Sequence, residues 1–191
     1  KRGLEVTVLE AAEEIGGGTR TGHSPLPGLL QDECSAVHMM AVGSRAFADL
    51  ELEAHGLRWC RPAIDLVHPL DGGDAGVLDR SVAVTADGLG PDGGRWRRLF
   101  GRPSETFDEW GEDIMGPLLR LPRHPLALAR FGIPTLVPAA LLARVFSTER
   151  ARVLFTGTAA HALQPLHRPL SSAIGLGLLT AGHRHGWVVA A

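Results

Sequence analysis

The strongest constraint on this chain is a six-residue apolar run, Leu4-Glu5-Val6-Thr7-Val8-Leu9, that follows Gly3 and stops on the carboxylate of Glu10. A short run rich in β-branched residues and bounded by a glycine reads as a buried parallel strand entered from a helix C-terminus. Lys1 and Arg2 then fall in the last turn of that helix. In a dinucleotide-binding βαβ unit the second strand ends in an acid, because one carboxylate can accept both hydroxyls of an adenosine ribose. Glu10 stands where that acid belongs.

Beyond Glu10 comes Ala11-Ala12-Glu13-Glu14-Ile15, then Gly16-Gly17-Gly18-Thr19-Arg20-Thr21. Glycine has no Cβ, so successive glycines can take positive φ and bring backbone N–H groups close to an anion. Arg20 can add a charge-assisted bond to a phosphate. The competing reading is a flexible turn beside a surface acid; the joint spacing of strand, acid and glycines favours the binding one. The first glycine fingerprint of such a unit lies about 20 residues before the acid. Counting back from Glu10 passes Lys1, and the chain opens without Met. We therefore expect a fragment without the first strand, its glycine loop and most of the first helix.

The pattern V-T-V-L-E-x(5)-G-G-x(2)-R-T, followed by Leu26-Pro27-Gly28 and Asp32-x-Cys34-Ser35-Ala36-Val37-His38, resembles the phytoene desaturase-like branch of FAD-dependent amine-oxidase-type oxidoreductases. Arg80-Ser81, the segment 88–93, Trp96-Arg97-Arg98-Leu99-Phe100, the segment 122–126, Ala159-Ala160-His161 and Pro165-Leu166 are similar to that family's middle region. The resemblance implies that Glu10 binds the ribose of FAD, and that Gly16, Gly17, Gly18, Arg20 and Thr21 lie at the pyrophosphate and flavin. Many relatives carry Arg directly after Gly-Gly, where this chain has Gly18, so Arg20 is the substitute. It also places His38 near the flavin and the substrate passage. The fold implied is α/β, with a partial Rossmann-like FAD- or NAD(P)-binding domain over 1–56 and a largely helical part of a substrate domain over 57–191. The activity implied is hydride transfer from a small apolar substrate to FAD, with NAD(P) as the alternative cofactor. A different class of reading is a non-catalytic remnant or a helical interaction module.

Composition narrows the alternatives. The 191 residues are 45% hydrophobic and 21% charged, with a net charge of −2, which suits one or two globular units with a core. The 24 glycines and 13 prolines have no three-residue period, so collagen is excluded. Near-neutral charge gives no electrostatic footprint for nucleic acid. The local exception, Arg95, Arg97, Arg98 and Arg102 around Trp96 and Phe100, reads as a solvated helix face with one buried edge. Cys34 and Cys60 allow at most one disulfide, and no signal-like segment opens the chain, so a cytoplasmic setting is expected. No apolar window reaches about 18 residues, so no transmembrane segment is expected, which leaves peripheral contact with a membrane open.

Other chemistries lack their motifs. No two histidines are four apart, and His183 with His185 would face different sides of a helix, so no zinc pattern forms. A Cys34–His38 nucleophile pair is conceivable by spacing, but packing explains both residues more simply. Gly22-His23-Ser24-Pro25-Leu26 lacks the closing glycine of a nucleophile elbow, and a P-loop needs a lysine where Lys1 is the only one.

Local signals mark the remaining elements. Ser44 opens a helix to about His55, closed by Gly56, and Asp71–Gly76 joins two extended segments. Ser81, Ser104, Ser147 or Thr148, and Ser171 open further helices. The third of these places Val153, Leu154, Phe155 and Leu163 at apolar positions, and Gly175 and Gly177 in the last allow close packing. Prolines at 103, 117, 122, 125, 134, 138, 165 and 169 punctuate the helical part.

Overall fold

The computed structural model describes residues 3–23, 26–116, 119 and 121–191, and the chain divides into two compact units, Lys1–Val37 and His38–Ala191. The helix end expected at Lys1 and Arg2 lies outside the described residues, as do Ser24, Pro25 and Pro117.

In the first unit, residues 4–9 form no strand, and Leu4, Val6, Val8 and Leu9 are exposed, Leu9 by 91%. This corrects the expected buried parallel strand. A β-branched run becomes a strand only when a neighbour supplies the hydrogen-bond ladder, and no described strand pairs with it. The regular structure of this unit is instead a hairpin of β1 (Thr21–His23) and β2 (Leu30–Asp32), antiparallel with Thr21 opposite Asp32. Pro27 and Gly28 occupy the centre of the Leu26–Leu29 turn, where Gly28 has φ +81°. Proline followed by a positive-φ glycine is the signature of a type II turn.

The second unit opens with α1 (Met39–Val42) and α2 (Arg45–Leu50). Ser44 precedes α2 as expected, but the helix stops at Glu51, which takes φ +52°, and a 3₁₀ turn carries the chain to Gly56 at φ +100°. After β3 (Trp59–Cys60), the strands β4 (Leu66–Pro69) and β5 (Ala75–Leu78) form the hairpin expected around Asp71–Gly76. Ser81 then caps α3 (Val82–Gly88), its Oγ accepting from the Val84 N–H at 3.4 Å.

Two expected breaks sit differently. Helix α4 (Gly93–Glu105) runs through Pro103, and α5 (Phe107–Met115) starts after Thr106, so Ser104 is a buried residue of α4 and not a cap. A proline near the C-terminal end of a helix removes one ladder bond, and α4 continues only two residues past it. Helices α6 (Pro125–Thr135) and α7 (Ala139–Leu142) follow, then α8 (Glu149–Ala159), whose N-terminus is capped by Thr148 Oγ1 accepting from Ala151. Leu163 is not on the apolar face of α8 but lies beyond it at φ +51°, 95% exposed. The long helix α9 (Ser171–His185) and β6 (Val189–Ala190), which pairs with β3, complete the chain.

Helix α9 is the centre of this unit, packed by α1, α4, α6, α7 and α8. Its close approach to α8 depends on Gly175, where a Cβ would lie 2.8 Å from Ala159 Cβ. Trp96, Phe100, Phe146, Leu154, Phe155 and Leu179 fill the core around it. The molecule thus mixes many helices with small sheets, and every described strand pair is antiparallel.

Candidate functional site

The glycine segment of the first unit makes a tight turn leading into β1. Gly16 has φ +116° and Gly17 φ +54°, conformations that side chains rarely adopt, and a 3₁₀ turn covers Gly17–Thr19. The Thr19 N–H and hydroxyl both donate to the Gly16 carbonyl, at 2.9 and 2.6 Å. A Cβ on Gly16 would sit 3.2 Å from Arg20 Cγ, so the arginine stem lies directly over the turn. Arg20 Nε donates to the Gly17 carbonyl at 3.0 Å, and its guanidinium is 3.7 Å from the Glu33 carboxylate.

Ser35 N–H donates to Gly18 O at 2.7 Å and Glu33 N–H to Arg20 O at 2.9 Å, so the hairpin pairing runs back into the glycine turn. Thr21 spends its hydroxyl on Asp32 Oδ1 at 2.8 Å, tying β1 to β2. Glu10 is exposed and accepts the Ala12 N–H at 2.9 Å. A carboxylate has about four acceptor positions, so one local bond leaves it able to accept a diol. Gly16, Gly17, Gly18, Arg20 and Thr21 therefore form one continuous structure, with Glu10 preceding it in the same unit.

His38 belongs to the second unit, where it precedes α1. Its N–H donates to Val188 O at 2.9 Å and its ring centre lies 6.1 Å from that of Trp59. Trp59 in turn borders a cavity of about 370 Å³, lined also by Val42, Phe47, Leu52 and Leu57, whose wall does not include His38. Cys34 and Cys60 are both free and exposed, and they lie in different units. Among the described residues no group of three or more His, Cys, Asp or Glu side chains could hold a metal ion.

Two buried polar constellations of the second unit have no local sequence signal. Trp96 Nε1 donates to His183 Nε2 at 2.9 Å, and His183 Nδ1 lies 3.1 Å from the Arg80 carbonyl. An indole N–H only donates, so Nε2 must be unprotonated and Nδ1 carries the hydrogen that reaches Arg80. Burial pushes the His183 pKa down to about 4, against the opposing effect of the Arg80 and Asp79 carbonyls. The ring is thus a neutral connector between α4, α9 and the loop before α3.

Asp92, wholly buried, receives the N–H and hydroxyl of both Ser147 and Thr148 at 2.7 to 3.0 Å, and Arg95 Nη1 at 2.8 Å. Burial raises its pKa, but these donors outweigh it and hold the carboxyl well below the usual range. Arg97 pairs with Asp87, and Trp96 and Phe100 are the buried edge of the same helix, whose arginines otherwise face solvent.

Compared with protein-family models, curated proteins and solved structures, the chain finds no match.

Proposed function

We propose that this chain is part of a FAD-dependent oxidoreductase similar to phytoene desaturases, and that its first unit contributes to the dinucleotide site. The observation that carries the reading is the Gly16–Gly17 turn, held at positive φ with Arg20 folded over it, six residues beyond the exposed Glu10. Such a turn suits the approach of a pyrophosphate, because no Cβ stands between the anion and the backbone donors. Arg20 supplies the positive charge there, and Glu10 supplies acceptors for ribose hydroxyls.

The residues present fit the ribose and phosphate chemistry of FAD. Gly16, Gly17, Gly18 and Arg20 would hold its pyrophosphate and Glu10 its ribose, while Thr21 fixes the hairpin that bears them. Bound flavin would supply a two-electron acceptor for hydride from an apolar substrate, a task that calls for orientation and polarity from the protein more than for an acid–base pair. In this reading the partial Rossmann-like domain is continued by the helical part, and His38 beside Trp59 belongs to the wall of the substrate passage.

The absorbance spectrum of the purified chain tests this. Flavin bands, present on purification or gained on refolding with excess FAD, support the reading. Protein that stays colourless after refolding, or that binds NAD(P) in preference to FAD, contradicts it.

A further inference from the structure

Helix α2 ends after Leu50, and the chain that follows turns back on itself to make a concave wall. Glu51 takes φ +52° with its N–H on the Ala48 carbonyl, the Leu57 N–H donates to Leu52 O at 3.1 Å, and Gly56 at φ +100° directs the chain into β3. Arg58 and Ala191 then exchange both backbone hydrogen bonds, at 3.2 and 2.9 Å, which fastens β3 beside β6. Main-chain bonds therefore hold the wall, and no ligand is needed to form it.

This wall bounds the cavity of about 370 Å³ beside Trp59. That volume falls in the range of about 300–1,000 Å³ usual for small-molecule sites. Its lining is largely apolar, with Leu52 and Leu57 joining the rings of Phe47 and Trp59, and its charged side chains, Glu51 and Glu53, are both acids. Among the described residues no arginine, lysine or histidine lines it. From Ala46 to Ala54 the chain carries Asp49, Glu51 and Glu53 and no base, while Arg45 lies 3.5 Å from Glu112.

The ring centres of Phe47 and Trp59 are 6.4 Å apart with their planes at 34°. Phe47 is 39% exposed and Trp59 half-buried, so both rings keep surface for a ligand. Aromatic faces are negative at the centre and attract a cation, most strongly on tryptophan. An anion would meet two carboxylates and no compensating base. A neutral apolar molecule would take water from those acids and return nothing to them.

We propose that this cavity binds an organic cation, an ammonium group on a small apolar body, with its charge on the rings of Trp59 and Phe47 and balanced by Glu51 and Glu53. Binding alone is involved, and no bond is made or broken. The inference does not rest on the flavin reading, because Glu10 and the glycine turn belong to the other unit.

Titration of the full chain with benzyltrimethylammonium chloride at constant ionic strength, followed by calorimetry and tryptophan fluorescence, tests it. Trp96, Trp110 and Trp187 are buried, so Trp59 is the tryptophan that a ligand in this cavity reaches. Saturable one-to-one binding is expected, with benzyl alcohol and benzoate weaker by about fivefold or more. Glu51→Gln combined with Glu53→Gln, and separately Phe47→Leu, should each weaken the cation about fivefold. A cooperative melt shows that each variant is folded. Trp59→Phe should abolish the fluorescence change. Absence of saturable binding, benzyl alcohol binding as tightly as the cation, or an affinity that neither the glutamine pair nor Phe47→Leu lowers overturns the proposal. The titration contains no flavin, so its outcome is read separately from that with FAD.

Discussion

His183 is the residue whose chemistry is most sharply set by its surroundings. Its pKa falls to about 4 in the fold because burial penalises the charged ring, against an ordinary value of 6.5. The unfolded chain therefore binds the extra proton first. The contribution of the neutral ring is complete above about pH 6.5 and declines as pH falls toward 4, by about 3 kcal/mol over the window. Urea melts at pH 7 and pH 4.5 should show this loss in the wild type and a smaller one in His183→Asn. Trp96→Phe removes the indole donor to Nε2 and should cost about 1–3 kcal/mol at pH 7. Asp92→Ala leaves the backbone N–H groups of Ser147 and Thr148 without their acceptor and should cost roughly 3 kcal/mol or more in the same assay. None of these partners is legible locally: Trp96 and His183 are 87 residues apart, and Asp92 and Ser147 are 55 apart. Sequence spacing suggested only that His183 and His185 diverge on a helix.

Among the elements, those whose signals are local were readable in advance. Ser81 and Thr148 cap α3 and α8 through their own side chains, and the β4–β5 hairpin forms across the glycine-rich Asp71–Gly76 stretch. Capping and tight turns depend on residues a few positions apart, so the pattern suffices. Strands depend on a partner, and the apolar run 4–9 shows the consequence: the β-branched pattern is present and the ladder is absent. Ser104 misled for a related reason, since hydroxyl residues favour caps, yet α4 had enough buried contact through Trp96 and Phe100 to continue past it. Helix packing gives the clearest prediction at this scale. Gly175→Ala puts a Cβ 2.8 Å from Ala159 Cβ and 2.9 Å from its Cα, so α8 and α9 must separate. A loss of about 1–3 kcal/mol is expected in thermal or urea melts. Gly177→Ala, where nothing lies within 4 Å, should be neutral or slightly stabilising by helix propensity.

At the scale of the whole molecule, the two units carry different parts of the account. The second unit holds the aromatic core and the buried polar connectors, while the first holds the exposed acid and the positive-φ glycine turn. The turn and the acid were legible because both are sequence-local; the hairpin that supports them was not, because Thr21 and Asp32 meet only through the Pro27–Gly28 reversal. The central claim is that this turn and Glu10 contact FAD. Titration of the chain with FAD, followed by flavin fluorescence, tests it most directly when the wild type is compared with Glu10→Ala and Gly16→Val. The account predicts saturable quenching in the wild type and affinity weakened about tenfold or more in each variant. No saturable signal with the folded wild-type chain, or equal affinity in all three proteins, would contradict it.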